Sequence, residues 1–472
     1  MEDLISQTSK IIDELLAAER RSAPQPRIAP EAIEDAQVLR PGRQGRSEAE
    51  VFDLLSKIVA QTPRSSDSRF YNQLFAGRLP IATAGEMLAT FMNVSMYTYK
   101  AAGPNVLLEW ELVKRMLELA GIPGGDGTFL PGGSLANLVG MLLGRNQAAP
   151  EMREHGAPPQ RLITYVTAEG HYSVVKNAGI LGMGRANVRA IATDDNGRIC
   201  PDALRATIEA DLQDGHLPAV VVATSGTTVR GAFDPIEQMA DICQEFGVWL
   251  HIDAAVGGSM LLHPVERAQL RGIERADSIT WDAHKMMGVP LTCSAILVRD
   301  PEILTRSFSE AADYLFQVDG DYLNPGKRSI QCGRRNDALK LWAAWKHLGD
   351  EGWAKRLDRQ LSLARYLAKQ VDAHPALELC ESPPLTMVNF VAPGKSSPRI
   401  CEVLHERGDA MVGYGDCGGV ESIRMVTMNP EVSEAELDRL IEEIVAVATE
   451  LPDTVPSTQV QRERASTAAS SS

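Results

Sequence analysis

Ser278-Ile279-Thr280-Trp281-Asp282-Ala283-His284-Lys285-Met286-Met287-Gly288 begins as an apolar, β-prone run. It ends on a histidine and a lysine side by side, followed by uncharged residues. Lysine is rarely buried without a partner, and loss of hydration disfavours its ammonium form. A lysine held that way is partly free amine, which Schiff-base chemistry with an aldehyde requires. Alone, the stretch favours a plainer reading, a lysine just past a strand end whose head reaches back to water. Its surroundings reverse that preference.

Between residues 160 and 300 the chain alternates short apolar runs with helical patterns. Leu162–Thr167, Val188–Ile191, Ala219–Thr224, Val248–Ala254, Ser278–Trp281 and Ser294–Val298 read as strands, with helices such as Pro201–Leu212 and Ile236–Glu245 between them. This is the βαβ pattern of an α/β fold with a mostly parallel sheet buried on both faces. Ligands of such sheets sit beyond the carboxyl ends of the strands. Thr227, Asp253 and Lys285 fall at those ends. Upstream, Pro131-Gly132-Gly133-Ser134 precedes Leu135, Leu138, Val139 and Leu142, which predicts a helix with Ser134 as its N-cap. Free N–H groups, the positive end of the helix dipole and a glycine backbone suit such a turn to phosphate. By itself it is a weak signal, since it is neither a Walker A nor a GxGxxG.

The flanks are less regular. Residues 1 to about 20 and Ala49–Gln61 read as amphipathic helices with nothing local to pack on, so they are expected to cover another part of the protein or a second subunit. Arg69–Gly77 mixes aromatics and amides in a loop, and Leu107–Ala120 is a further helix. Arg306–Ser329, containing Tyr314 and Tyr322, has the length of a lid. Helices are expected at Ala338–Leu348 and about Trp353–Val371, then strands near Met387–Val391 and Ser422–Met428. The capping box Ser433-Glu434-Ala435-Glu436 opens the last helix. The expected divisions are an N-terminal helical segment at 1–95, a large cofactor-binding domain at 96–352 and a small C-terminal α+β domain at 353–452. The tail 453–472 carries too little apolar surface to fold.

A net charge of −15 argues against a nucleic-acid partner or an anionic membrane surface. No apolar run approaches the roughly 20 residues needed to span a bilayer. Seven widely spaced cysteines without a CxxC pair suggest reduced thiols in a cytoplasmic protein, not a disulfide framework or a zinc site. No signal peptide is visible in Met1-Glu2-Asp3-Leu4 and the residues after it.

Lys285, Asp253 and Gly133-Ser134 supply an amine, a carboxylate and a phosphate cup, the three groups that pyridoxal 5'-phosphate needs. The sequence also resembles a known family. His171-Tyr172-Ser173, Thr224-Ser225-Gly226-Thr227-Thr228, Gly231-Ala232-Phe233-Asp234-Pro235, His251-Ile252-Asp253-Ala254-Ala255 and His284-Lys285-Met286-Met287-Gly288-Val289 are similar to motifs of the group II pyridoxal-phosphate decarboxylases. So are Tyr314-Leu315-Phe316-Gln317 and Ile330-Gln331-Cys332-Gly333-Arg334. The likeness runs from about Arg69 to Leu451 and is strongest to the glutamate decarboxylase and cysteine sulfinate decarboxylase branch.

That resemblance implies the aspartate-aminotransferase-like fold (fold type I) and a homodimer with a shared active site. It makes Lys285 the Schiff-base lysine and Asp253 the partner of the pyridine nitrogen. His171 would stack on the cofactor ring and Ala255 would pack on its other face. Gly133, Ser134 and His284 would hold the phosphate, Thr227 would lie near the ring hydroxyl, and Tyr314 would be the acid that protonates Cα. Gln73 and Arg424 would bind the substrate carboxylate. Ser95 and Tyr97 would set substrate length, because they resemble the cysteine sulfinate enzymes where glutamate enzymes carry Asn and Phe. There are departures from the family pattern: Asp282 in place of Asn, Val256 in place of Trp, and Lys100 in place of Glu.

The reading is α-decarboxylation of a small acidic L-amino acid, cysteine sulfinate or aspartate before glutamate. The alternatives are a related lyase or aldehyde synthase acting on diaminobutyrate or an aromatic amino acid, and a cofactor-binding protein with a regulatory role.

Overall fold

A computed structural model describes residues 2–20, 39–310, 320 and 323–453. Tyr314, Tyr322 and the tail from Thr454 lie outside the described residues. The chain divides into two compact units. One is Arg78–Ser362 with Pro384–Met387; the other gathers Met1–Gly77, Leu363–Pro383 and Val388–Ser472. The strands, in chain order, are β1 (Phe70–Tyr71), β2 (Asp126–Leu130), β3 (Leu162–Thr167), β4 (Val188–Ile191), β5 (Leu217–Thr224) and β6 (Trp249–Asp253). They continue with β7 (Ser278–Asp282), β8 (Ser294–Val298), β9 (Glu378–Leu379), β10 (Met387–Val391), β11 (Met411–Cys417) and β12 (Val420–Val426).

The larger unit is built on a seven-stranded sheet of order β2-β8-β7-β6-β5-β3-β4. Pairs β4-β3-β5-β6-β7 are parallel, and only β8 runs against its neighbours. Every residue of β2, β6, β7 and β8 is buried, so both faces of the sheet are covered. β2 was not expected from the sequence. Its Asp126 and Gly127 disfavour a strand, but the Arg328 guanidinium meets the Asp126 carboxylate at 2.8 Å and a Cβ on Gly127 would lie 2.7 Å from the Ile296 carbonyl oxygen.

The helix Gly133–Ala148 lies across this sheet. A Cβ at Gly140 would come within 2.3 Å of the His251 ring, so a side chain there would hold the helix off the strands. Its buried apolar residues Ala136, Val139 and Leu143 join Val220, Val222 and Ile296 in one core. Helices Pro201–Gln213 and Ile236–Phe246 match their expected ranges to within a residue. The two helices expected around residue 350 are present within Ala338–Ala373, separated by a non-helical kink at Gly349 (φ 61°, ψ −179°). That backbone conformation favours glycine.

The smaller unit carries a five-stranded sheet of order β1-β11-β12-β10-β9. β1 pairs in parallel with β11 through Phe70–Met411 and Tyr71–Val412, which ties residues up to Gly77 to the C-terminal region. These boundaries differ from those expected at 95 and 352, because a two-residue strand has no readable periodicity. Ser433 accepts from Glu436 N–H and the Glu436 carboxylate accepts from Ser433 N–H, completing the expected capping box. Leu437, Leu440, Ile441 and Ile444 of that helix are buried against Leu367, Phe390, Leu404 and Ile423. The helix Glu48–Gln61 buries no residue, and its Val51, Leu55 and Ile58 are exposed. No helix of the described residues is long and apolar enough to cross a membrane.

Candidate active site

The carboxyl ends of β5, β6 and β7 lie side by side because the three strands are parallel and adjacent. Strand alternation then sorts their side chains. Trp249, His251 and Asp253 share one face of β6, while Ser278, Thr280 and Asp282 share one face of β7, with His251 opposite Ser278 and Asp253 opposite Thr280. Leu250, Ile252, Ile279 and Trp281 take the other face. The face toward Gly133–Ala148 is therefore polar at its carboxyl end, in the middle of an apolar domain.

A cavity of about 310 Å³ sits on that edge. Its walls include Gly133, Ser134, His171, Asp253, Ala255, His284 and Lys285, seven of the residues singled out in the sequence. Asp282, Asn137, Thr224, Gly226, Thr228 and Val256 complete much of the lining. Thr227 is not among the lining residues. It is buried, and its hydroxyl accepts from Ala232 N–H at 3.0 Å within its own turn, so Thr228 presents to the cavity instead.

The Asp253 carboxylate is held at two points. Asn137 Nδ2 donates to Oδ2 at 2.7 Å, and Ala255 N–H donates to Oδ1 at 3.2 Å. Lys285 follows β7, and its Nζ lies 3.2 Å from Asp282 Oδ2. The Asp282 side chain is 1% exposed, and its Oδ1 has no hydrogen-bond partner. His284 Nε2 is 3.6 Å from the same Oδ2, and burial pushes the His284 imidazole below its ordinary pKa, against the pull of Asp282. The helix over these groups starts at Gly133. Gly132 (φ 114°) is the N-cap, and no side chain caps the turn, contrary to the expected role for Ser134. No side chain accepts from the first-turn N–H groups, and Gly133 and Ser134 stand in the cavity wall. A Cβ at Gly133 would sit 2.5 Å from Asp282 Oδ2, so the helix start and the acid are in close approach.

His171 precedes the helix Ser173–Ile180. Its Nδ1 accepts from Ser173 N–H at 3.3 Å and lies 2.8 Å from Ser173 Oγ. Burial lowers its pKa; the Asp253 carboxylate opposes this, and Lys285 adds to it. Ser95 and Tyr97 do not line this cavity. Ser95 Oγ accepts from Arg334 N–H at 3.1 Å, and the Tyr97 carbonyl accepts from Gly326 N–H at 2.9 Å. Gln73 and Arg424 belong to the smaller unit, where the Arg424 guanidinium donates to the Asn72 carbonyl at 2.6 Å. Burial pushes its pKa down.

These residues fit pyridoxal phosphate. A buried carboxylate, an amine and a helix start without a side-chain cap line one space. Sequence reasoning missed Asn137 and the polar face behind it. The alternation His251-Ile252-Asp253 put the histidine on the aspartate's face, and Asn137 interrupts an apolar helix stripe.

Comparison with known proteins gives the family of the chain. Residues 42–392 match the pyridoxal-dependent decarboxylase conserved domain. Cysteine sulfinic acid decarboxylase of Mus musculus is 39% identical over 447 residues, 89% of this chain and 90% of that protein. Acidic amino acid decarboxylase GADL1 of Mus musculus is 37% identical, over 86% of this chain and 78% of that protein. The crystal structure of mouse CSAD superposes with a TM-score of 0.90 at 34% identity, covering 95% of this chain and 99% of that one. A crystal structure of Oryza sativa TDC with PLP and tryptamine gives a TM-score of 0.88 at 25% identity, covering 95% and 98%. With a matching family domain over residues 42–392, a shared fold and nearly nine-tenths of its length aligned with such proteins, this chain belongs to the pyridoxal-phosphate-dependent decarboxylases.

Proposed function

We propose that the protein removes the α-carboxyl group of a small acidic L-amino acid, cysteine sulfinate or aspartate before glutamate, giving the amine and carbon dioxide. The observation that carries this reading is the convergence of Lys285, Asp253 and the Gly133 helix start on one cavity, in a chain whose relatives are named for acidic substrates. The chemistry that pyridoxal phosphate supplies when bound is an electron sink for the pair left on Cα. Lys285 Nζ would be the amine that holds the cofactor through its aldehyde. Asp253 would keep a proton on the ring nitrogen, and His171 and Ala255 would cover the ring. Gly133, Ser134 and His284 would receive the phosphate. Tyr314 returns a proton to Cα after carbon dioxide leaves; amine formation by Tyr314→Phe at the wild-type rate would remove it from this role.

The substrate carboxylate goes to Arg424, whose planar fork meets two oxygens at once, with Gln73 beside it. Ser95 and Tyr97, which do not line the cavity of their own chain, would serve the site of a second copy in a homodimer with a shared active site. The exposed stripe of Val51, Leu55 and Ile58 supports such a homodimer, since it leaves apolar surface for a second subunit. The Ser95 hydroxyl already accepts from Arg334 N–H, so its own proton is available to an acidic head group. The Tyr97 hydroxyl narrows the space by more than a phenyl ring would. Both favour a side chain one methylene shorter than glutamate, a discrimination of about 1–3 kcal/mol. The test is kcat/KM for cysteine sulfinate, aspartate and glutamate on wild type and on the double variant Ser95→Asn, Tyr97→Phe. Wild type should prefer the shorter two, and the variant should shift toward glutamate. Preference for glutamate, or no shift, would overturn this choice of substrate.

Asp282 gives a second expected result. Its carboxylate stands against the Gly133 helix start and 3.6 Å from His284 Nε2, among the groups proposed for the phosphate, and it repels the dianion there. Asp282→Asn should tighten pyridoxal phosphate binding to the apo-protein by about tenfold. Pyridoxal, which lacks the phosphate, should bind as before. Equal gains for both compounds would show that Asp282 acts through the fold of the cavity and not on the phosphate.

A further inference from the structure

Behind Asp253 lies a file of polar groups that the assigned chemistry does not use. Trp249, Ser278, His251 and Asn137 are each at most 3% exposed, and they are linked end to end up to the Asp253 carboxylate. Trp249 Nε1 is 2.9 Å from Ser278 Oγ, and Ser278 Oγ is 2.8 Å from His251 Nδ1. His251 Nε2 is 3.0 Å from Asn137 Oδ1, and Asn137 Nδ2 is 2.7 Å from Asp253 Oδ2. The same Nδ2 also lies 3.2 Å from Ser173 Oγ, which in turn contacts His171 Nδ1.

Elementary donor and acceptor rules fix the direction of every link. The Asn137 amide cannot be turned over, because its oxygen would then face the Asp253 carboxylate at 2.7 Å. Asn137 Oδ1 therefore faces His251, and an amide oxygen only accepts. So His251 must carry a proton on Nε2. Burial holds the His251 imidazole at a pKa of about 4, so the ring is neutral and has a single proton to place. Nδ1 is then bare and accepts from the Ser278 hydroxyl, whose oxygen accepts from the indole N–H of Trp249. Protons point one way along the file, from Trp249 to Asp253. Aligned hydrogen bonds in a dry interior polarise one another, and a donor to the carboxylate favours its charged form. The second branch fixes the other wall. Asn137 donates to Ser173 Oγ, leaving the Ser173 hydroxyl proton for His171 Nδ1.

We propose that Asn137, backed by His251 and Ser278, is the positioning hub of this active site: it presents the Asp253 carboxylate to the cofactor ring nitrogen and sets the His171 ring over the cofactor through Ser173. None of the three touches the reacting atoms; they act through Asp253 and His171. The proposal rests on the role given to Asp253 in the function proposed above.

The test uses the full-length protein, reconstituted with pyridoxal phosphate labelled with ¹⁵N at the ring nitrogen. The nitrogen resonance reports whether that nitrogen carries a proton. Wild type should show the protonated signal. Asn137→Leu and His251→Leu should move its titration down by about one unit or more, the worth of one hydrogen bond to a charged group. Ser278→Ala, the mildest change, should give a smaller move in the same direction. His251→Gln keeps a donor toward Asn137 and an acceptor toward Ser278, so it should restore the wild-type signal. An Asp253→Asn variant separates the two claims. If it keeps the protonated signal, the placement of the cofactor against Asp253 is wrong. If it loses the signal while Asn137→Leu and Ser278→Ala keep it unchanged, the cofactor placement stands and the positioning hub is overturned.

Discussion

Lys285→Ala should lower turnover by at least about a thousandfold, since no other group would supply the amine. The structure shows that this variant does two things at once. It removes the amine, and it strips Asp282, a buried acid, of the cation 3.2 Å away. Leaving a buried carboxylate unpaired is costly in itself. Lys285→Arg separates the effects, because guanidinium can still face Asp282 but forms no Schiff base. The arginine variant should unfold near the wild-type denaturant midpoint and be as inactive as the alanine one. If it kept substantial activity, Lys285 would have no covalent role.

The largest expected effect on stability lies elsewhere in the same unit. Arg334 and Glu109 form a two-pronged pair, with N–O distances of 2.7 and 2.8 Å and side chains 3% and 5% exposed. The Arg334 guanidinium also donates to the Met96 carbonyl, and its backbone N–H holds Ser95. Glu109→Ala would leave a buried guanidinium without its carboxylate, a loss of about 3–5 kcal/mol. Urea unfolding should show a lower midpoint with an unchanged slope. Replacing both partners, Glu109→Leu with Arg334→Met, should recover much of that loss, because no charge is then stranded. A midpoint for Glu109→Ala within error of wild type would mean the guanidinium finds another partner or reaches water.

Much of the larger unit was legible in the sequence because buried parallel strands are short, apolar and bounded by helices. Leu162–Thr167, Val188–Ile191 and Ser294–Val298 stand at the residues expected. Asp126–Leu130 was not legible, since its acid and glycine are explained by Arg328 and by Ile296, far away in sequence. β1 escaped for a different reason: two residues cannot display a period, and only pairing with Met411 and Val412 makes them a strand.

The site follows the same division. Lys285 and Asp253 stood out because an ionisable group ending an apolar strand needs an explanation from chemistry. Gly133 and Ser134 were placed at a helix start, but the cap is Gly132, whose positive φ needs its neighbours to be seen. Thr227 and Thr228 are adjacent in sequence, and only the turn closed through Ala232 decides which one meets the cavity. Asn137 was hidden by its setting. A lone amide on a helix reads as neutral until His251 and Asp253 are found on either side of it.

Borohydride reduction of the holoenzyme, followed by digestion and mass mapping, tests the central claim most directly. The reduced cofactor should be found on the peptide containing Lys285 and on no other. An adduct on a different lysine, with Lys285 unmodified, would contradict the site described here and the mechanism built on it.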